Sequence, residues 1–410
     1  MTDHDVRVLD LGELRAAYNL FAATIDRGPR DDAGWSRAEP SFSPGRTVGV
    51  RESGSLVATA ASFPSRTVVP GGAVLSMAAV TRVGVRADRT RRGLLTAMMR
   101  AQLDDVAARG EPLASLRASE ARVYGRFGYG VATRGREIRM RRPGAGWRAN
   151  APRGGRVRLL GRDEMVTVLA TVHETIALRR PGGMTRPASW WDGMVGHGLA
   201  NREHVVAAVH TSAAGDDGFA YATVSDGDGF AHRTLRVQDL HAADVEATAG
   251  LWRFLLDVDL IGVVQGWSRP LDEPLELLLA DPRHCAVTRN DDETWLRLVD
   301  VASALGARAF PATAADVEPV LLAVHDPLLA GNAGIYRIGD GTAERVGPLD
   351  GTTAPELECD VAALSMAYLG DRAPSALAAT GWWQVHDAAA LSRADVLFAT
   401  ATTPWCGTYF

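Results

Sequence analysis

The chain has 410 residues, 46% hydrophobic and 23% charged, with a formal net charge of −5. That balance suits two or three globular domains and argues against a polyanion-binding molecule. All 44 basic side chains are arginine, which excludes a Schiff-base lysine and the lysine of a nucleotide-binding loop.

No apolar run approaches the roughly 20 residues of a membrane span, and the first ten residues lack a secretory pattern. Cys285, Cys359 and Cys406 are too scattered for a disulfide framework or a CxxC metal site. The expectation is a cytoplasmic protein with no membrane span, no nucleic-acid partner and no bound metal.

Leu11, Leu14, Tyr18, Phe21 and Ile25 recur at helical intervals and predict a helix over 8–25. An acidic, aromatic loop follows, with Asp26, Asp31, Asp32 and Trp35. Strands are predicted over 47–51, 56–61 and 66–69, punctuated by Gly54 and a Pro70-Gly-Gly turn. A further strand, 77–85, runs into the basic turn Arg89-Thr-Arg-Arg-Gly93. Next comes a helix whose apolar face is Leu94, Leu95, Met98, Met99, Leu103 and Val106, ended by Gly110 and Pro112. Strand 113–116 leads to Ser119-Glu120 and the cluster Tyr124-Gly-Arg-Phe-Gly-Tyr129, and a strand over 136–140 closes this first unit near 142.

Residues 143–156, rich in Pro, Gly and Arg, read as a linker. The second unit, 157–293, shows helices near 162–179 and 242–257 and strands over 205–210, 219–224 and 260–265. Its helix from 242 begins with acidic residues, which would repel a phosphate. The third unit, 294–410, opens with a strand entering a helix, continues through a hairpin around Gly339-Asp-Gly341 and ends Pro404-Trp-Cys-Gly-Thr-Tyr-Phe410. That ending is too aromatic for an ordinary solvated tail.

Strand, basic glycine turn and helix together form a candidate phosphate cradle, because the first N–H groups of a helix point outward unpaired. The turn has neither GxxxxGK[ST] nor GxGxxG. It resembles the R/Q-x-x-G-x-G/A pyrophosphate loop of the GCN5-related N-acetyltransferases (GNAT), with Thr90 at its first position and Leu95 at its last. The wider string, RRGLLTAMM followed by ASEARVYGRFGYG, resembles the enhanced intracellular survival (Eis) branch of that superfamily.

The resemblance implies an α/β (α+β) fold class: a catalytic GNAT domain over 1–142, a degenerate GNAT-like domain over 157–293, and a sterol-carrier-protein-like domain over 294–410. The last would deliver the C-terminus to the active site. It further implies acetyl-CoA as donor, a homohexamer, and direct transfer to primary amines, aminoglycosides among them. By the same resemblance Val83, Gly84 and Val85 pair with pantetheine, Arg91, Arg92, Gly93, Leu94, Leu95 and Thr96 form the pyrophosphate loop, and Ser119 and Glu120 make a second cofactor contact. Tyr124 is the acid, the α-carboxylate of Phe410 the base, and Asp26 and Trp35 meet the amine. The rival reading is a lipid- or small-molecule-binding protein built on the third unit, with a relic transferase fold.

Overall fold

The computed structural model describes residues 4–141, 146–201, 204–225, 233–311, 314 and 316–410. The expected boundary at 142 and the first three residues of the linker lie outside them. The chain forms two compact units: Met1–Ala132 with Thr294–Thr402 and Phe410, and Thr133–Glu293 with Thr403–Tyr409. Among the described residues, no helix is long and apolar enough to cross a membrane.

In the first unit seven strands pair in the order Val6–Val8, Thr47–Glu52, Ser55–Val68, Val74–Val85, Leu113–Leu116, Trp295–Leu298, Gly130–Val131. The helix expected over 8–25 begins only at Leu14 and ends at Thr24. Of its expected first residues Val8 ends the edge strand, where Val6 lies opposite Val50 and Val8 opposite Val48, and Leu11–Glu13 makes a 3-10 turn. The Glu13 carboxylate holds that corner by accepting from Arg7, Arg51 and the Asp10 N–H. The two strands expected over 56–61 and 66–69 are one, continuous through Pro64. Pairing with Thr47–Glu52 stops at Ala61, so Pro64 has a strand neighbour on one side only and its missing donor is tolerated.

Two strands change places relative to expectation. Arg134–Arg141 does not close the first sheet. It pairs with Ile261–Pro270 and Cys285–Asp292 in the second, where Ile138 and Met140 join the core around Trp252. Its place in the first sheet goes to Trp295–Leu298, buried at all four positions between Leu113–Leu116 and Gly130–Val131. The chain therefore leaves the first unit at 132, about ten residues before the expected boundary.

The second sheet orders Cys285–Asp292, Arg134–Arg141, Ile261–Pro270, Arg233–Ala242, Gly215–Ser225, Val205–Ser212, Arg156–Leu159. Each sheet holds a parallel pair joined through a helix: Val74–Val85 to Leu113–Leu116 through Leu94–Ala108, and Arg233–Ala242 to Ile261–Pro270 through Val245–Asp257. A parallel pair needs such a crossover.

The five-stranded third sheet belongs to the first unit. Buried polar and apolar side chains hold it together, and a cavity of about 470 Å³ opens at its margin beside His325, Asp326, Pro327, Ala333, Asp360, Val361 and Ala362. Arg308 donates to the carbonyls of Tyr368, Leu397 and Phe398. Arg297 pairs with Asp326 at 2.6 Å, both side chains wholly buried. Seven of the eight residues of helix Val361–Tyr368 are buried, and it lies so close to the first sheet that a Cβ on Gly130 would stand 2.2 Å from the Ala362 carbonyl oxygen.

Candidate active site

The parallel strands Val74–Val85 and Leu113–Leu116 pair only from Met77 opposite Leu113 to Val80 opposite Leu116. Beyond Val80 the first strand continues alone on that side, while its other edge stays bonded to Ser55–Val68 through Thr59–Gly84 and Ala58–Val85. A register shift between Thr59 and Ala61 bends it there. Val83, Gly84 and Val85 thus sit on the splayed stretch, where an extended ligand can add as a strand.

At the end of that strand the turn delivers Gly93, with φ of 85°, as the N-cap of helix Leu94–Ala108. No side chain caps the helix, so its first N–H groups stay available for an anion. Arg91 also has a left-handed φ, 62°. The carbonyl of Arg92 accepts from His4 Nε2 at 2.7 Å, which steadies the turn from outside.

A cavity of about 370 Å³ opens against this helix start, lined by Val85, Arg89, Thr90, Arg91, Gly93, Leu94, Leu95, Thr96 and Arg126. Val83, Gly84, Arg92, Ser119 and Glu120 do not line it. Ser119 and Glu120 are exposed beyond strand Leu113–Leu116, and neither caps helix Ala121–Tyr124. Arg89 is tied to Glu52 and Asp88, whereas Arg91 and Arg126 make no ion pair among the described residues. Arg126 lies inside the Tyr124–Tyr129 cluster without a local signal of its own, because only folding turns it toward a helix start some thirty residues earlier.

Tyr124 belongs to the apolar cluster on the helix Leu94–Ala108 side of the sheet, with Val80, Met99, Phe127 and Trp295. Its ring meets that of Tyr129 edge-on at 6.2 Å. Burial pushes the Tyr124 phenol up to about 12 and moves Tyr129 the same way. The Tyr129 hydroxyl is buried without a partner.

The opposite face of the sheet carries helix Leu14–Thr24 and the acidic segment. Trp35 packs tilted on Tyr18 and Phe42 at 6.2 and 5.8 Å. Residues 32–38 form a helix rather than loop, with the Asp31 carboxylate accepting from the Gly34 N–H. Asp32 pairs with Arg15. Asp26, with φ of 55°, is exposed and makes no ion pair among the described residues. The Phe410 ring lies edge-on to Phe63 at 5.5 Å. Phe63 shares a face with Ala61 by strand alternation, and Ala61 packs with Leu14, Ala17 and Phe42.

The third domain does not hold the tail that precedes Phe410; Thr403–Tyr409 belongs to the second unit. There the strands Arg233–Ala242 and Ile261–Pro270 also splay, since their pairing ends at Val237 opposite Gly266, and a register shift between Tyr221 and Ala222 bends the first of them. Trp405 fills the gap. Its indole donates to the Ser268 carbonyl at 2.8 Å on one strand, and its ring lies 4.6 Å from that of His241 on the other.

The Glu293 carboxylate accepts from the consecutive N–H groups of Cys406 and Gly407. Arg186 donates to the Gly407 carbonyl and the Thr408 hydroxyl while pairing with buried Asp239. Glu293 and Arg186 carry no sequence signal, for each is a lone residue whose partners are far away in the chain; Trp405 belongs to the aromatic ending, but nothing local tells which gap it fills.

Comparison with known proteins gives the family of the chain. Family models described as "Acetyltransferase (GNAT) domain" match residues 5–132 and 182–298, and one described as "Sterol carrier protein domain" matches 301–407. An uncharacterized N-acetyltransferase of Streptomyces avermitilis is 36% identical over 371 residues, 88% of each chain. The N-acetyltransferase Eis of Mycobacterium tuberculosis is 34% identical over 384 residues, 91% of this chain and 90% of that one. The crystal structure of Eis1 from Mycobacterium abscessus superposes with a TM-score of 0.89 at 36% identity, covering 99% of this chain and 100% of the other. With two GNAT domains, a sterol-carrier domain and an open glycine turn at the first splay, the chain belongs to the Eis family of GCN5-related N-acetyltransferases.

Proposed function

We propose that this N-acetyltransferase moves the acetyl group of acetyl-CoA directly to a small primary amine, aminoglycosides among the candidates, in the first splay. The observation that carries the reading is the uncapped helix start at Gly93, which lies at the end of a strand with an unpaired edge. The residues present fit acetyl-CoA: Gly93 lets an anion approach the backbone, the Leu94, Leu95 and Thr96 amides face it, and Arg91 and Arg126 supply charge. Arg92, Ser119 and Glu120 stand outside that cavity and serve, in this reading, the more distant parts of the cofactor. The Val83–Val85 edge bonds the extended arm, and a backbone N–H there stabilises the oxyanion formed when the amine attacks.

Tyr124 faces the departing sulfur. A thiol ionises near 8.5 and this buried phenol near 12, so complete transfer of the phenol's proton to the thiolate would be uphill by about 5 kcal/mol. Tyr124 therefore stabilises the sulfur as a hydrogen-bond donor that stays protonated across the neutral range. The α-carboxylate of Phe410 takes the proton of the attacking amine. Supporting that role is the Phe63 contact, which sets Phe410 on the face of the sheet that also carries Trp35. Asp26, an unpaired carboxylate, and Trp35 favour an ammonium-bearing acceptor.

Titration calorimetry with acetyl-CoA, followed by thiol-release assays on a panel of amines, tests the reading. Tyr124→Phe should lower kcat by about 10²–10³-fold, the loss of one donor to developing charge, with acetyl-CoA affinity retained. One residue added after Phe410 should abolish turnover in a folded protein. Full activity in the extended chain would remove Phe410 from the mechanism, and failure to bind acetyl-CoA would overturn the whole reading.

A further inference from the structure

The bend in the splayed strand is made at Arg82, a non-glycine residue with φ of 52°. That backbone turns its side chain onto the face carrying helix Leu14–Thr24. There the guanidinium lies 4.3 Å from the centre of the Phe42 ring and 5.9 Å from that of Tyr18, the two rings that pack on Trp35. It donates to the hydroxyl and the carbonyl of Ser41. Among the described residues no carboxylate lies within ion-pair distance of it. Burial pushes its pKa down to about 10, as expected of a cation withdrawn from water without a counter-charge. Arg82 immediately precedes the Val83–Val85 edge, and the aromatic group it enters is the one expected to meet the acceptor.

Resting on the acetyltransferase reading above, we propose that Arg82 ranks the amines of that reading, favouring an acceptor with a carboxylate close to its amine, an amino-acid-like molecule, over one that bears positive charge alone. Guanidinium and carboxylate match in geometry as well as charge. Asp26 on the same side supplies the opposite sign for the ammonium. A polycation would gain from Asp26 but would bring a second positive charge toward a buried guanidinium that has no anion to offset it.

The test uses the full chain and matched pairs of acceptors that differ by one carboxylate: tyrosine and tyramine, histidine and histamine, ornithine and putrescine. In the wild type the carboxylated member of at least one pair should have kcat/KM tenfold or more above its partner, and Arg82→Gln should bring that ratio to near one, chiefly through KM. Arg82→Lys, which keeps the charge without the fork, should retain part of the preference and guards against a folding defect in the first variant. Decarboxylated amines accepted as well as or better than their partners would overturn the proposal. So would an equal loss on both members of each pair in Arg82→Gln, since Arg82 would then serve the chain's own carboxylate. Acetyl-CoA bound but no amine of the panel acetylated rejects the acceptor class alone, whereas no acetyl-CoA binding rejects the transferase reading beneath it.

Discussion

The two GNAT-like units make the same splay and use it in opposite ways. In each, a bent strand parts from a parallel partner reached through a crossover helix. In the first unit the helix start is uncapped, reached through a left-handed Gly93, and faced by two unpaired arginines. In the second, Asp244 accepts from the Ala247 N–H and Glu246 from the Gly154 N–H. Carboxylates already satisfy that helix start and its dipole. A Cβ on Gly250 would stand 2.1 Å from the Gly154 carbonyl oxygen, so the chain itself covers the helix. The second gap then holds Trp405 where the first leaves an edge free. On the reading proposed above, a splay alone does not make a cofactor site; the helix start must also keep its donors.

Emptying the filled splay should have the largest effect. Trp405→Ala removes a buried indole and its hydrogen bond to Ser268, and should cost about 3–5 kcal/mol in the stability of the second unit. Chemical denaturation would read this as an early transition, and turnover should fall with it if Phe410 acts as base. A variant as stable as the wild type would mean that Trp405 only lies in the gap without supporting it.

Closing the open splay comes next. Gly93→Ala meets nothing nearer than His4 Nε2 at 3.5 Å, so its cost is the left-handed backbone, about 1–2 kcal/mol. The turn should relax away from that conformation and weaken acetyl-CoA binding by about tenfold or more, with melting temperature little changed. Calorimetry showing unaltered affinity would mean that this turn does not hold the anion.

The smallest effect sharpens the contrast through pH. Burial holds His173 and His241 below the usual imidazole range, and the nearby Arg186 charge acts in the same direction on both. With folded values depressed, the unfolded chain takes up protons below about pH 6.5 that the folded one refuses. The second unit should therefore lose stability as pH falls from 7.5 to 5.5. The depressed Asp239 carboxylate adds to this only further into acid. His173→Phe, replacing a ring among Trp191, Phe219 and His241, should shrink the drop in Tm between the two pH values. An undiminished drop would place the acid sensitivity elsewhere.

Much of the first splay was legible in the chain. The Gly93 turn, the helical spacing from Leu94 to Val106 and the Tyr124–Tyr129 cluster are local signals, and the structure forms each of them. What the sequence hid depends on distant partners. Val6–Val8 is too short to read as a strand and becomes one only against Val48–Val50. Arg134–Arg141 and Trp295–Leu298 both read as strands, but no local pattern says which sheet each will join. Arg82 and Trp405 are single residues without periodicity, and their meaning comes from Phe42, Ser41, Ser268 and His241, all remote in sequence.

The exchange of those two strands has a consequence for assembly of the chain during synthesis. Leaving at Ala132 and returning at Thr294, the polypeptide places the whole second sheet as an insertion between neighbouring positions of the first: the Ala132 N–H donates to the Thr294 carbonyl, and the Glu293 N–H to that of Thr133. Leu113–Leu116 and Gly130–Val131 must therefore wait, without the partner that separates them, until about 160 further residues have left the ribosome. Contacts closed over so long a loop form late. The nascent first GNAT domain thus exposes strand edges for longer than its own length would suggest, and a chaperone-poor translation system should show its aggregation before that of the later domains.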